Sequence, residues 1–233
     1  NNVIEGSFRA DVEKLVFLGS SCIYPKNCLQ PIKEEYLLSG PLELSNEPYA
    51  LAKIGGIKMC ESYNRQFGTD YRSLMPSNLY GIGDNYHPDN SHVIPGLIRR
   101  FHEGKINRKK EVVVWGTGRA RREFLFVDDL ANAIVFVMNL PKSEFDKVIT
   151  PRCSHLNVGS SSDIAISDLA NDIRSLTSFN GNIKFDQSMP DGTPKKLMCS
   201  RKILDLGWRP KTALYCGLRE AYSSFLETEA RMN

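Results

Sequence analysis

Tyr49 and Lys53 stand four residues apart behind Pro48, a residue suited to the first turn of a helix. At that spacing the phenol and the ammonium fall on one helical face. An ammonium beside a phenol favours the phenolate, so the phenol drops from its ordinary value of about 10 and can trade a proton near neutrality. Lys53 is then the tuning cation and Tyr49 the acid. About thirty residues upstream, Gly19-Ser20-Ser21-Cys22-Ile23-Tyr24-Pro25 supplies a serine hydroxyl and a thiol. Two hydroxyls donating to one carbonyl oxygen stabilise the charge that grows there on enolisation, and the phenol can later give its proton when hydride arrives. An isolated Tyr-x-x-x-Lys also describes a buried aromatic covered by a lysine stem. A serine at a strand end upstream of it makes the pair a constellation for ketone chemistry.

These side chains need a strand and a helix to place them. Leu15-Val16-Phe17-Leu18 has the length and apolarity of a strand buried on both faces, and Gly19-Ser20-Ser21 follows at its carboxyl end, where doubly wound sheets put their chemistry. Residues 49–67 carry a helical period closed by Gly68, and residues 71–75 read as a strand ending at Pro76. Further on, the pattern predicts helices over 92–102, 167–176 and 218–226, and strands over 111–115, 155–158 and 183–185. Asp128 or Asp129 is expected to cap a helix that ends near Leu140-Pro141. This alternation predicts an α/β fold with a parallel sheet, and a boundary near residues 80–85 separates a sheet part, 1–80, from a second part, 81–233, whose segments cross back to the first.

The composition excludes several other classes. The chain has 233 residues and a formal net charge of +3, too small to argue for nucleic acid, and holds no run of about 20 apolar residues that would span a membrane. The opening residues, Asn1 to Glu5, show neither a basic start nor a long apolar core, so a secretory signal is not expected and a cytoplasmic protein is. Cys22, Cys28, Cys60, Cys153, Cys199 and Cys216 show neither Cys-x-x-Cys pairing nor zinc spacing with the histidines, which reads as reduced thiols and no metal site. Arg108-Lys109-Lys110 reads as solvated surface; the cluster Arg119, Arg121 and Arg122 suits a diphosphate.

The chain resembles the extended short-chain dehydrogenase/reductase family. The resemblance runs through residues 17–26, Asn46-Glu47-Pro48-Tyr49-Ala50, residues 60–65, Pro76-Ser77-Asn78-Leu79-Tyr80-Gly81, Asn90-Ser91-His92-Val93-Ile94-Pro95, Val113-Val114-Trp115-Gly116, Arg122-Glu123-Phe124-Leu125 and Asp191-Gly192-Thr193-Pro194-Lys195-Lys196. It is closest to members that use NADPH to epimerise GDP-4-keto-6-deoxy-D-mannose at C3 and C5 and reduce it at C4, giving GDP-L-fucose.

The resemblance implies a Rossmann-like doubly wound sheet with a smaller, interwoven α/β substrate domain. It implies Ser20, Tyr49 and Lys53 as the catalytic triad, with Cys22 as the base and His92 as the acid of epimerisation. NADP(H) is expected against Gly19, Ser20, Tyr49, Lys53, Pro76, Ser77, Asn78, Leu79 and His92, and the GDP-sugar against Arg100, Trp115, Arg122 and Lys196. A homodimer built on the helix that carries Cys60 is also implied. Ile82-Gly83 replaces the Pro-His expected after Tyr80-Gly81, and Lys195 stands where the family often has arginine.

A Gly-x-Gly-x-x-Gly turn, expected to hold the dinucleotide of such a domain, is not in this chain: Gly81-Ile82-Gly83 and Gly116-Thr117-Gly118 lack the third glycine. The N-terminal cofactor-binding part is therefore expected to be absent from this chain. A related nucleotide-sugar epimerase, reductase or dehydratase is the nearest alternative, although a dehydratase would carry an acid pair beside the strand-end serine. A nucleotide-sugar-binding protein without activity is the alternative from another class.

Overall fold

The computed structural model describes residues 2–232, so Asn1 and Asn233 lie outside it. In chain order the elements are α1 (Asn2–Arg9), β1 (Lys14–Leu18), α2 (Glu47–Phe67), β2 (Asp70–Pro76), β3 (Asn78–Tyr80), α3 (Val93–Ile106), β4 (Glu111–Trp115), β5 (Arg121–Phe126), α4 (Val127–Asn139), α5 (Lys142–Phe145), β6 (His155–Val158), β7 (Asp163–Ala165), α6 (Ile166–Thr177), β8 (Asn182–Asp186), β9 (Lys195–Lys196), α7 (Arg201–Asp205) and α8 (Leu214–Met232).

The α/β alternation is present, and it builds a parallel sheet in the order β1-β2-β6. Every residue of β2 is buried, as a central parallel strand requires. Its side chains alternate: Tyr71 and Met75 pack with Ile54, Ile57 and Cys60 of α2, whereas Leu74 packs with Leu130, Ala133 and Val137 of α4. Helices thus cover both faces. β2 is buried along its whole length, whereas β1, expected to be buried on both faces, is only partly buried. β1 is the edge of this sheet, none of its residues is fully buried, and Leu18 is exposed.

A second group of strands, β3-β5-β7 with β9 on the same β5, mixes parallel and antiparallel pairing, and β4-β8 forms a separate parallel pair. Around them lies a distinct apolar core of α3, α6 and α8, with Leu97, Phe101, Ile173, Leu218 and Phe225 at its centre. β5 has no sequence signal because it opens with Arg121-Arg122-Glu123. Those charges are satisfied only through tertiary partners.

Two other expectations need correction. The first residue before α4 is Phe126, which makes no side-chain cap. Asp129 instead turns its carboxylate to the backbone N–H groups of Lys211 and Thr212, at 3.0 and 2.9 Å, tying α4 to the segment before α8. α3 and α8 also run further than their apolar periods suggested, α3 to Ile106 and α8 from Leu214 to Met232. α2 begins with Pro48 in its first turn and ends on Gly68 at φ 73°, a left-handed conformation that glycine adopts without steric cost.

Candidate active site

β1 delivers its chain to the site through Gly19, whose N–H donates to Leu74 O at 2.9 Å and so continues the ladder onto β2. A Cβ at Gly19 would collide with the end of the Met75 side chain, so a larger residue there needs Met75 to move. Ser20 follows in extended conformation and caps a short 3-10 turn, its Oγ accepting from the Cys22 N–H at 3.2 Å. That leaves the hydroxyl proton free to be donated elsewhere.

A buried polar network fixes the rest of this loop from below. The Tyr24 hydroxyl donates to Asn157 Oδ1 at 2.5 Å and lies 3.1 Å from His155 Nε2. Asn157 Nδ2 donates to Ile32 O and Cys199 O, and its N–H to Glu34 Oε1 at 3.0 Å. Burial lowers His155 to about 3, so the ring is neutral. A neutral ring donating through Nε2 leaves Nδ1 as a bare acceptor, and Nδ1 indeed has no partner among the described residues. Burial likewise pushes Glu34 and Tyr24 upward.

Tyr49 sits in the first turn of α2, half exposed. Lys53 lies a turn further on; its Nζ donates to Leu18 O at 2.8 Å and stands 5.7 Å from the centre of the Tyr49 ring. The carbonyl at the end of β1 thus anchors the lysine beneath the phenol.

These groups open onto one cleft of about 560 Å³, lined by Gly19, Ser20, Cys22, Tyr49, Pro76, Ser77, Asn78, Leu79, His92 and Arg122 among others. His92 is exposed on its rim at the N-terminal boundary of α3, where it makes no side-chain cap. Ser77 donates its N–H to Val158 O at 3.0 Å, and Asn78 Nδ2 donates to Glu123 O at 2.8 Å, so the ends of β2 and β3 are pinned to their neighbours. The Ser77 hydroxyl is buried beside this cleft with no hydrogen-bond partner among the described residues. An orphaned hydroxyl, a glycine that admits close approach and an ammonium at the strand end fit the polar, hydroxyl-rich end of a dinucleotide.

Arg100 and Trp115 do not line this cleft. They line a second one of about 550 Å³, which meets the first at His92 and Val93. Trp115 is 59 % exposed at the end of β4, so it is a wall and not core. Arg100 donates to Gly96 O and Val113 O at 3.1 and 3.0 Å, which holds its guanidinium 5.8 Å from the Trp115 ring centre. Arg122 is held by the loop after β8, donating to Thr193 O and Asp191 O. Lys196, expected beside the diphosphate, has its Nζ 3.6 Å from the Cys22 sulfur.

Three residues of this neighbourhood escaped the sequence reading of single side chains. Asn46 lines the first cleft ahead of Tyr49. Asp191 accepts from the Thr117 N–H and hydroxyl, at 2.6 and 2.7 Å, joining the Gly116-Thr117-Gly118 turn to the loop that holds Arg122. Glu123, almost wholly buried, accepts from Met198 N–H at 3.0 Å and Ser161 N–H at 2.8 Å, and burial raises it to about 7. Asp191 and Glu123 lie inside the motif stretches of the sequence, but nothing in those stretches says what either carboxylate holds.

Comparison with known proteins agrees with this geometry. A family model described as the NAD dependent epimerase/dehydratase family matches residues 1–159. The GDP-L-fucose synthase of Escherichia coli K12 is 52% identical over 231 residues, which is 99% of this chain and 72% of that protein. Among solved structures, a GDP-6-OMe-4-keto-L-xylo-heptose reductase from Campylobacter jejuni superposes with a TM-score of 0.89 at 37% identity, over 98% of this chain and 74% of the other. A GDP-L-fucose synthetase from Naegleria fowleri, bound to NADP, gives 0.88 at 28% identity, over 99% of this chain and 71% of the other.

Proposed function

The chain belongs to the NAD dependent epimerase/dehydratase family, and from that premise we propose that it serves an NADPH-dependent enzyme converting GDP-4-keto-6-deoxy-D-mannose to GDP-L-fucose. The observation that carries this reading is the convergence of Ser20, Cys22, Tyr49 and His92 on one cleft.

A ketone at C4 acidifies the hydrogens on C3 and C5, because each carbanion places its charge on the same C4 oxygen. Ser20 and Tyr49 donate to that oxygen and stabilise the enolate. Cys22 takes the proton from carbon, and His92, on the rim of the cleft, returns one from the other face. NADPH, when bound, supplies the hydride for C4. Tyr49 gives its proton to the C4 oxygen in that step, and Lys53, held by Leu18 O, keeps a positive charge under the phenol. Gly19, Pro76, Ser77, Asn78 and Leu79 form the wall against which the coenzyme rests.

Arg122 from the first cleft and Arg100 from the second bring positive charge to the diphosphate, and Trp115 offers its exposed face to the guanine. Residues 1–80 therefore belong to the coenzyme side and residues 81–233 mainly to the GDP-sugar side, with β6 returning to the first sheet. Six free thiols support a cytoplasmic setting, and among the described residues no helix is long and apolar enough to cross a membrane. A homodimer through α2, the helix that carries Cys60, completes the reading.

The test is to incubate the full-length protein with GDP-4-keto-6-deoxy-D-mannose and NADPH in D₂O and to identify the sugar by mass and NMR. GDP-L-fucose labelled at C3 and C5 is expected. An unlabelled 6-deoxy-D-sugar would make the protein a reductase alone, the activity for which the Campylobacter protein is named. Cys22→Ser is expected to lose most of the label while still binding the coenzyme.

A further inference from the structure

Lys195 and Lys196 are neighbours on β9, and a strand sends consecutive side chains to opposite faces. Lys195 turns to Asp163, with its Nζ 2.9 Å from the carboxylate, where Arg121 also pairs. Lys196 turns the other way. Among the described residues it has no carboxylate partner, and its Nζ sits 3.6 Å from Cys22 Sγ. The remaining groups facing this spot are Arg122, opposite Lys196 in the β5–β9 register, and the Cys28 thiol, which feels the Lys196 charge.

The strand that carries Lys196 is clamped on both sides. From one side, Gln30 Oε1 accepts the Leu197 N–H at 2.8 Å, and Ile32 pairs with Leu197 and Cys199 through bonds of 2.8 Å each. From the other, Glu123 accepts the Met198 N–H at 3.0 Å and, with its second oxygen, the Ser161 N–H. Gln30 and Ile32 belong to the same loop as Cys22. Three hydrogen bonds that do not depend on any ligand therefore hold the backbone around Lys196 to the loop that carries Cys22, and the Glu123 carboxylate holds it from the other side.

On the reading of Cys22 as the base of epimerisation, we infer that Lys196 is the counter-ion of the Cys22 thiolate, and that Glu123 is the positioning residue that fixes Lys196 there. In the step this serves, the thiolate forms an S–H bond as the sugar C–H bond breaks, and the C–H electron pair moves into the enolate on the C4 oxygen. The lysine remains an ammonium throughout, and the thiol returns its proton to solvent. Lys196 thus acts on the proton transfer and not on the diphosphate.

The experiment uses the full-length protein with Lys196→Met, Lys196→Arg and Glu123→Gln. Alkylation by iodoacetamide at pH 7, followed site by site in the absence of sugar, should be about 10-fold slower at Cys22 in Lys196→Met and unchanged at exposed Cys216. Lys196→Arg, which keeps the charge, should restore most of the rate. Glu123→Gln should slow Cys22 by about 3-fold and add nothing when combined with Lys196→Met, since both act through one contact. With keto-sugar in D₂O, Lys196→Met should lose exchange at C3 and C5 about 10-fold while KM for the GDP-sugar changes by less than about 3-fold. Unchanged Cys22 alkylation in Lys196→Met overturns the inference. So does a rise in KM with exchange and reduction falling together, the pattern of a diphosphate ligand. A wild-type protein whose Cys22 responds as expected, yet which exchanges no sugar hydrogen, would keep the ion pair and remove the epimerase reading.

Discussion

The loop that carries Ser20 and Cys22 and the strand that carries Trp115 both end at clefts, but they are held in opposite ways. Beneath the loop lies a buried set of Tyr24, His155, Asn157 and Glu34, each with a geometric obligation to the next. β4 alternates exposed and buried residues, and Trp115 stands out from it with a single cation beside its ring. Groups that must meet a reacting carbon within a fraction of an ångström are built on a network that tolerates no slack. Groups that recognise a nucleotide base are left free to lie flat on what arrives. The contrast makes ordered predictions.

The largest effect is expected at Tyr49. Tyr49→Phe removes the acid and one oxyanion donor and should cost 10²-fold or more in turnover, about 3 kcal/mol or more. The half-exposed ring should leave the thermal unfolding midpoint almost unmoved. Near-normal reduction by the folded variant would sink the role assigned to this residue.

Next comes the network under the loop. Asn157→Ala takes one partner each from Ile32 O, Cys199 O and the Tyr24 hydroxyl, although Ile32 O keeps the Cys199 N–H and Tyr24 keeps His155, and should destabilise by on the order of 2 kcal/mol. Urea denaturation reads this directly, and a loss below about 1 kcal/mol would mean that the loop is held by something else.

Glu123 should make stability fall as pH rises. Its folded value, about 7, lies above the ordinary 4.5, so between those values the folded protein keeps a proton that the unfolded chain gives up. Relative to Glu123→Gln, the wild type is therefore expected to lose on the order of 2 kcal/mol between pH 4.5 and 7 and to stay level above pH 7. Parallel stability curves for the two proteins would contradict the raised value.

The smallest effect belongs to the exposed wall. Trp115→Ala should raise KM for the GDP-sugar by about 10-fold, with turnover near normal, and change stability by less than about 0.5 kcal/mol. A large loss of stability would erase the contrast between the two regions.

Much of this was legible in the sequence because apolar period and strand ends are local signals. The strands at β2, β4, β6 and β8, the helix behind Pro48 and the Ser20, Tyr49 and Lys53 group all follow from residues close together in the chain. What was not legible depends on distant partners. Nothing near Arg121-Arg122-Glu123 says that Asp163, Thr193 and Met198 will satisfy it, so β5 was invisible and Glu123 with it. The run Leu15-Val16-Phe17-Leu18 looks central because apolarity cannot report which neighbours a strand has. Asp129 has the composition of a cap, but its carboxylate is used by residues 82 and 83 positions away. Lys196 has the charge for a phosphate, and only the pairing of β9 with β5 turns it toward a sulfur.

The junction of the two clefts at His92 has a further consequence. His92 and Arg100 ride on one helix, eight residues apart, which at 1.5 Å per residue sets them about 12 Å from each other along its axis. A helix does not stretch, so with Arg100 on the diphosphate and His92 on the sugar ring, as proposed above, α3 would act as a gauge of the span between them. Selectivity of this kind rejects a substrate one phosphate too short more sharply than one with an altered ring substituent.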